Sequence, residues 1–73
     1  MMTKEKIKAL LDAGLPGATV DVRGDDGQHF EADVTWSGFA GLSMVKQHQA
    51  VYAALGDRMG REIHALALKT RAS

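Results

Sequence analysis

Three histidines are the residues of this sequence best suited to chemistry, and the chain has no cysteine to join them. His29, His48 and His64 lie far apart along the chain, and none has the HExxH spacing of a helical zinc site. A structural zinc site ordinarily takes four protein ligands and a catalytic zinc site takes three, so no pair of these histidines can complete either kind of site. The acidic pair Asp25 and Asp26 is typical of a turn, and no serine occupies a strand-to-helix elbow. We therefore do not predict an enzyme.

Length and charge limit the remaining functions. The 73 residues predict one domain, 1–73, with a small core. Formal net charge is zero, which argues against binding polyanions by bulk charge. The charge is nevertheless uneven, since residues 21–36 carry one arginine against five acids and residues 37–73 carry five basic residues against two acids. No apolar run approaches the roughly 18 residues of a membrane span, and we expect a soluble, cytoplasmic protein.

The first half of the chain predicts a helix followed by a hairpin. Ile7, Leu10 and Leu11 have helical spacing, with Thr3 as the N-terminal cap and Gly14 at the end. From residue 18 the apolar period changes to two, and "GDDGQ" supplies the glycines and aspartates of a hairpin loop. The alternation from Phe30 to Trp36 then predicts a half-buried return strand, with these two aromatic residues anchoring the core.

The second half predicts a helix, a further helical turn and a strand. Ser43 is the expected cap of a helix in which Lys46, Gln47 and Gln49 face water and the opposite stripe is apolar. This stripe comprises Met44, Val45, His48, Val51, Tyr52 and Leu55. A short turn from Asp57, with Met59 pointing inward, precedes the last strand, 63–70. The order αββααβ predicts an α+β fold with a three-stranded mixed sheet and the helices packed on one face.

Each histidine has an interpretation without function. His48 is expected to be a semi-exposed helical residue, and His29 is expected to project from the end of the hairpin loop into solvent. His64 shares strand parity with Leu66, which favours a half-buried histidine with satisfied hydrogen bonds. Its position at the rim of the sheet equally favours a ring nitrogen that reaches an external ligand.

The segment "GFAGLSMVKQHQAVYAALGDRMGREIHALALKT" resembles the signature of the BolA family. Phe39 and Gly41 match its FxG element, and the helix bears the matching residues Val45, His48 and Tyr52. The terminal strand contributes a longer match, formed by Ile63, His64, Ala65, Leu66 and Lys69. The resemblance covers nearly the whole chain and implies the class II KH-like fold, which agrees with the predicted topology.

The resemblance also implies a partner and a cofactor. BolA-like proteins of this type form heterocomplexes with monothiol glutaredoxins, in which the two proteins share a 2Fe-2S cluster. Carried over to this sequence, the strand ligand is His64 and the loop ligand is His29. Imidazole replaces thiolate at some iron-sulfur clusters, and the thiols would come from the glutaredoxin and glutathione. Because imidazole coordinates through a neutral nitrogen, with an ordinary pKa of about 6.5, acid is expected to weaken this attachment. The role expected is cluster trafficking or iron sensing.

The alternative function is a nucleic-acid-binding transcriptional regulator of stress response or morphology. It rests on the KH-like fold and on basic residues of the second half: Lys46, Arg58, Arg61, Lys69 and Arg71. Gly56 and Gly60 are spaced GxxxG, however, whereas a KH domain clamps the nucleic-acid backbone with GxxG. Without a cluster, we expect a monomer or a weak homodimer.

Overall fold

The computed structural model describes residues 1–73, and its elements follow the predicted order. They are α1 (Lys4–Gly14), β1 (Thr19–Arg23), β2 (His29–Thr35), a 3₁₀ turn (Ser37–Phe39), α2 (Met44–Leu55), a second 3₁₀ turn (Gly56–Arg58) and β3 (Ala65–Arg71). The sheet has the order β1-β2-β3, with β1 antiparallel to β2 and β2 parallel to β3. The predicted α+β fold with a three-stranded mixed sheet is confirmed, although the helical turn after α2 is only a 3₁₀ turn. No helix has the length and hydropathy needed to cross a bilayer.

Both ends of α1 form as the sequence predicts. The Thr3 hydroxyl accepts a hydrogen bond from the backbone N–H of Lys6 at 3.2 Å, which satisfies one of the free donors of the first turn. Ile7 and Leu11 are fully buried, because residues four apart lie on the same side of a helix. The helix ends at Gly14, beside α2.

The two helices cover one face of the sheet and leave the other open. Along β1 and β2 the inward residues are buried and their neighbours are half-buried or exposed, which is the period-two pattern of a sheet with one covered face. The buried residues of these strands are Val20, Val22, Phe30, Ala32 and Val34. They join residues of α1 and α2 in one hydrophobic cluster.

Phe39, not Trp36, is the second large aromatic anchor of the core. The segment "SGFAGL", expected to be a loop, contains a 3₁₀ turn that directs Phe39 inward, where it is 1% exposed. Trp36 is half-buried and packs edge-to-face on Phe39, with ring centroids 5.3 Å apart. Its indole N–H donates to the carbonyl of Pro16 at 2.7 Å, so its polar edge is satisfied.

The predicted apolar stripe of α2 is only partly buried. Val51 and Leu55 are fully buried, whereas Met44, Val45 and Tyr52 are exposed. Helical periodicity identifies the apolar side of a helix correctly but does not indicate how much of that side a small sheet covers. Gln47, which was expected to face water, is instead half-buried and donates its side-chain N–H to the carbonyl of Leu42 at 3.0 Å.

The last strand begins two residues later than predicted, at Ala65. Ile63 forms an isolated bridge with Met59 and is fully buried. The chain bends at His64 before the ladder begins. Because of this bend, the parity that predicted His64 on the covered face beside Leu66 is broken, and His64 is exposed.

Candidate metal-binding site

The register of the parallel strands brings His29 and His64 to the same end of the sheet. His29 is the first residue of β2, and its partner across the ladder is Ala65, the first residue of β3. The backbone N–H of Ala65 donates to the carbonyl of Gln28 at 3.1 Å, which fixes this register. His64 immediately precedes Ala65, so its backbone lies one residue from the position opposite His29. The two imidazoles therefore belong to one rim of the molecule.

The ring of His29 is exposed but held in place. Its side chain is 70% exposed, as expected for a residue at the end of the hairpin loop. Its Nδ1 lies 2.8 Å from Oδ2 of Asp26. The other carboxylate oxygen of Asp26 accepts the backbone N–H groups of His29 at 2.8 Å and of Gln28 at 2.9 Å. The ring is thus tied to the hairpin loop by one nitrogen, and its Nε2 remains available.

Hydrogen bonding favours the ionised form of Asp26. The pKa of Asp26 lies well below its ordinary value, first because of the backbone N–H of His29, then because of the His29 ring and the backbone N–H of Gln28. A carboxylate is consequently present beside the ring throughout the neutral range. The sequence indicates Asp26 only as a turn residue, and its position three residues before His29 is compatible with this contact without specifying it.

His64 contrasts with His29 in having no such support. It is exposed at the bend before β3, and His29 is the histidine whose ring hydrogen-bonds within the chain. Of the two interpretations left open by the sequence, the half-buried, satisfied histidine is excluded by this exposure. His48 lies half-buried in the middle of α2, away from the strand ends.

An open groove of about 370 Å³ adjoins His29 on the uncovered face of the sheet. It is lined by Arg23, Gly24, His29, Phe30, Glu31, Ala65 and Ala67. His64 lies outside this groove, so the groove and the histidine pair share only His29. The guanidinium of Arg23 beside it binds Glu31, Asp33 and Asp21, and these carboxylates raise its pKa, Asp33 most strongly.

At this rim the chain offers two imidazoles as candidate metal ligands, those of His29 and His64. No group of three or more histidine, aspartate or glutamate side chains is arranged to hold a metal ion, and there is no cysteine. Two imidazoles fall short of the coordination that iron, zinc or a cluster requires. Any metal or cluster held here needs additional ligands from another molecule.

The five basic residues of the nucleic-acid prediction are all exposed but widely spread. Lys46 lies in the first turn of α2 and Arg58 follows its end, at opposite ends of a helix about 18 Å long. Arg61 is in the turn before Ile63, and Lys69 alternates with half-buried Leu68, which directs it to the uncovered face of the sheet. The structure does not gather these residues into a single basic patch.

Comparisons with known proteins agree on one family. A family model described as BolA-like protein matches residues 3–73. Protein BOLA2 of Arabidopsis thaliana is 38% identical over 72 residues, which cover 94% of this chain and 76% of that protein. BolA-like protein 1 of Homo sapiens is 32% identical over 74 residues. This alignment covers 89% of the present chain and 54% of the human protein. The structure of a bolA protein homologue from Coxiella burnetii superposes with a TM-score of 0.86 at 42% identity, covering 99% of this chain and 92% of that one.

Proposed function

The chain belongs to the BolA-like family, and we propose that it is an adaptor that shares a 2Fe-2S cluster with a monothiol glutaredoxin. Proteins of the BolA family are non-enzymatic regulators or adaptors, and the comparisons indicate no catalytic family. In the proposed complex the chain contributes histidine ligation, and its task is cluster trafficking or iron sensing.

The observation that carries this proposal is the shared position of the two exposed imidazoles. His29 and His64 flank the start of the same pair of parallel strands, and both rings are accessible from outside the molecule. Without a third ligand or a thiol, this chain is suited to completing a cluster held mainly by another protein. The donor set therefore fits a bridged cluster better than an independent metal site.

The residues of this chain have separate tasks in the proposed complex. His64 and His29 would bind iron through neutral ring nitrogens, and the glutaredoxin cysteine and glutathione would supply the thiolates. When bound, the cluster supplies redox-active iron, whose potential rises when imidazole replaces thiolate. The covered core behind β2 and β3 keeps the two strand ends in register.

The test is reconstitution of the heterocomplex. The apo chain is mixed with a monothiol glutaredoxin, glutathione, iron and sulfide, and the visible absorption and circular dichroism are recorded. We expect a spectrum different from that of the glutaredoxin homodimer, formed at a one-to-one ratio of the two proteins. His64→Ala is expected to abolish this difference, and His29→Ala to weaken it.

His48→Ala is the matched control, because it removes an imidazole that lies away from the strand ends. Far-ultraviolet circular dichroism verifies that each variant is folded. If the wild-type chain leaves the homodimer spectrum unchanged, or if His64→Ala behaves like His48→Ala, the proposal is wrong. A parallel titration with duplex DNA tests the alternative, since Z phosphate contacts give a log-log salt slope of about −0.9Z.

A further inference from the structure

The two oxygens of Asp26 have different partners. Oδ1 accepts the backbone N–H groups of Gln28 and His29, which closes the turn before β2. Oδ2 lies 2.8 Å from Nδ1 of the His29 ring. One carboxylate therefore fixes both the backbone that carries this ring and the ring itself.

This contact determines where a neutral imidazole carries its proton. An ionised carboxylate only accepts hydrogen bonds, so the facing Nδ1 must be the protonated nitrogen. The single lone pair of the neutral ring is then on Nε2. Because the side chain of His29 is 70% exposed, this lone pair is open to a ligand from outside.

We propose that Asp26 is a positioning residue that holds His29 in the Nδ1–H tautomer and presents Nε2 as the atom that binds iron. The inference rests on the proposed function for its metal. In metal sites, the second nitrogen of a ligating histidine commonly donates to a carboxylate, which fixes the ring and strengthens the ligand.

Asp26→Asn is the discriminating variant. Its side-chain oxygen retains the two backbone contacts of Oδ1, so the turn is preserved. Its amide nitrogen replaces Oδ2 and donates a hydrogen bond, which favours an unprotonated Nδ1 and moves the proton to Nε2. Asp25→Asn is the matched control, because it removes the same charge from the neighbouring residue, whose carboxylate lies near Lys4 and not near the ring.

The first readout needs no metal. Long-range ¹H–¹⁵N spectra of the apo chain, recorded about two pH units above the ordinary imidazole pKa, report which ring nitrogen is protonated. We expect Nδ1–H for His29 in the wild type and in Asp25→Asn, and Nε2–H in Asp26→Asn. A wild-type ring with the proton on Nε2, or a ring unaffected by Asp26→Asn, overturns the inference whatever happens with the cluster.

The second readout is the concentration of chain that converts the glutaredoxin homodimer spectrum into that of the heterocomplex. We expect Asp26→Asn to raise this concentration by about 10- to 100-fold, the usual effect of losing such a supporting carboxylate. Asp25→Asn should change it little. An unchanged value for Asp26→Asn overturns the metal-binding part of the inference. If no variant of His29 or His64 affects the spectrum, the proposed function fails, while the tautomer result still decides whether Asp26 orients the ring.

Discussion

The close contact between α1 and α2 at Gly14 predicts that Gly14→Ala destabilises the protein. A Cβ atom built on Gly14 would lie 2.5 Å from Cβ of Ala54 and 3.1 Å from its Cα. Neither atom can rotate away, because both are fixed to the backbone of α2. The two helices would have to separate.

The expected magnitude follows from two opposing effects. Replacing glycine by alanine within a helix is ordinarily favourable by up to about 1 kcal/mol, and the gain is smaller at the last helical residue. Forcing an extra methyl group into a packed contact costs about 1–3 kcal/mol. Packing therefore prevails, and we expect Gly14→Ala to lower the free energy of unfolding by about 1–2 kcal/mol. For a chain of this size that is a considerable part of a total of roughly 4–11 kcal/mol.

Urea denaturation of both single variants and the double variant isolates the contact. Ala54→Gly alone should cost about 1 kcal/mol through helix propensity. In the double variant the methyl group missing at residue 54 makes room for the one added at residue 14. The double variant should therefore lose at least about 1 kcal/mol less stability than the sum of the losses in the two single variants. This difference exceeds the usual additivity error of about 0.3–0.5 kcal/mol. A Gly14→Ala variant more stable than the wild type, or simple additivity, would refute this account of the helix contact.

Two further predictions concern the core and the hairpin loop. Phe39→Ala should lower the free energy of unfolding by about 3–5 kcal/mol, because the ring is fully buried. Val45→Ala, at an exposed position, should change this free energy by less than about 0.5 kcal/mol. Urea denaturation measures both variants, and equal losses of stability would contradict the assigned core. The hydrogen bonds of the folded loop lower the pKa of Asp26 from its ordinary value of 3.8. The ionised Asp26 carboxylate therefore stabilises the folded protein fully above pH 3.8, and this stabilisation is lost as the pH falls through the lower pKa of the folded state. Amide shifts of Gln28 and His29 during acid titration check this, and a midpoint at 3.8 would contradict it.

Local signals in the sequence were sufficient for most of the fold. The apolar alternation of β2 predicts this strand correctly, because one face of the sheet is buried and the other is open. Thr3 and Ser43 are predicted correctly as helix caps, because each side-chain hydroxyl accepts a hydrogen bond from the backbone N–H three residues later. The first residue of β3 could not be predicted from such local signals. Residues 58–63 close a local turn, in which the backbone N–H of Gly60 donates to the carbonyl of Ile63 at 3.0 Å, and the strand begins only after the bend at His64.

The residues proposed for the site follow from the family resemblance, whereas the contacts that support them do not follow from the sequence. The family resemblance selected His29 and His64, and the order of the strands was enough to expect them at one end of the sheet. That Asp26 faces the His29 ring depends on the conformation of a turn, which composition does not specify. The exposure of His64 likewise depends on the bend that breaks the strand parity.

Detection of nitrogen ligands in the assembled complex tests the central claim most directly. The chain is prepared with ¹⁵N-labelled histidine and combined with an unlabelled glutaredoxin, the cluster is reduced by one electron, and the paramagnetic centre is examined by pulsed electron paramagnetic resonance. We predict strong hyperfine coupling to ¹⁵N of this chain from the two proposed imidazole ligands. This coupling should be reduced in His29→Ala, lost in His64→Ala because the heterocomplex no longer forms, and retained in His48→Ala. A reduced cluster without coupling to nitrogen of this chain, or with the same coupling in His64→Ala, would contradict the assignment of His64 as a ligand.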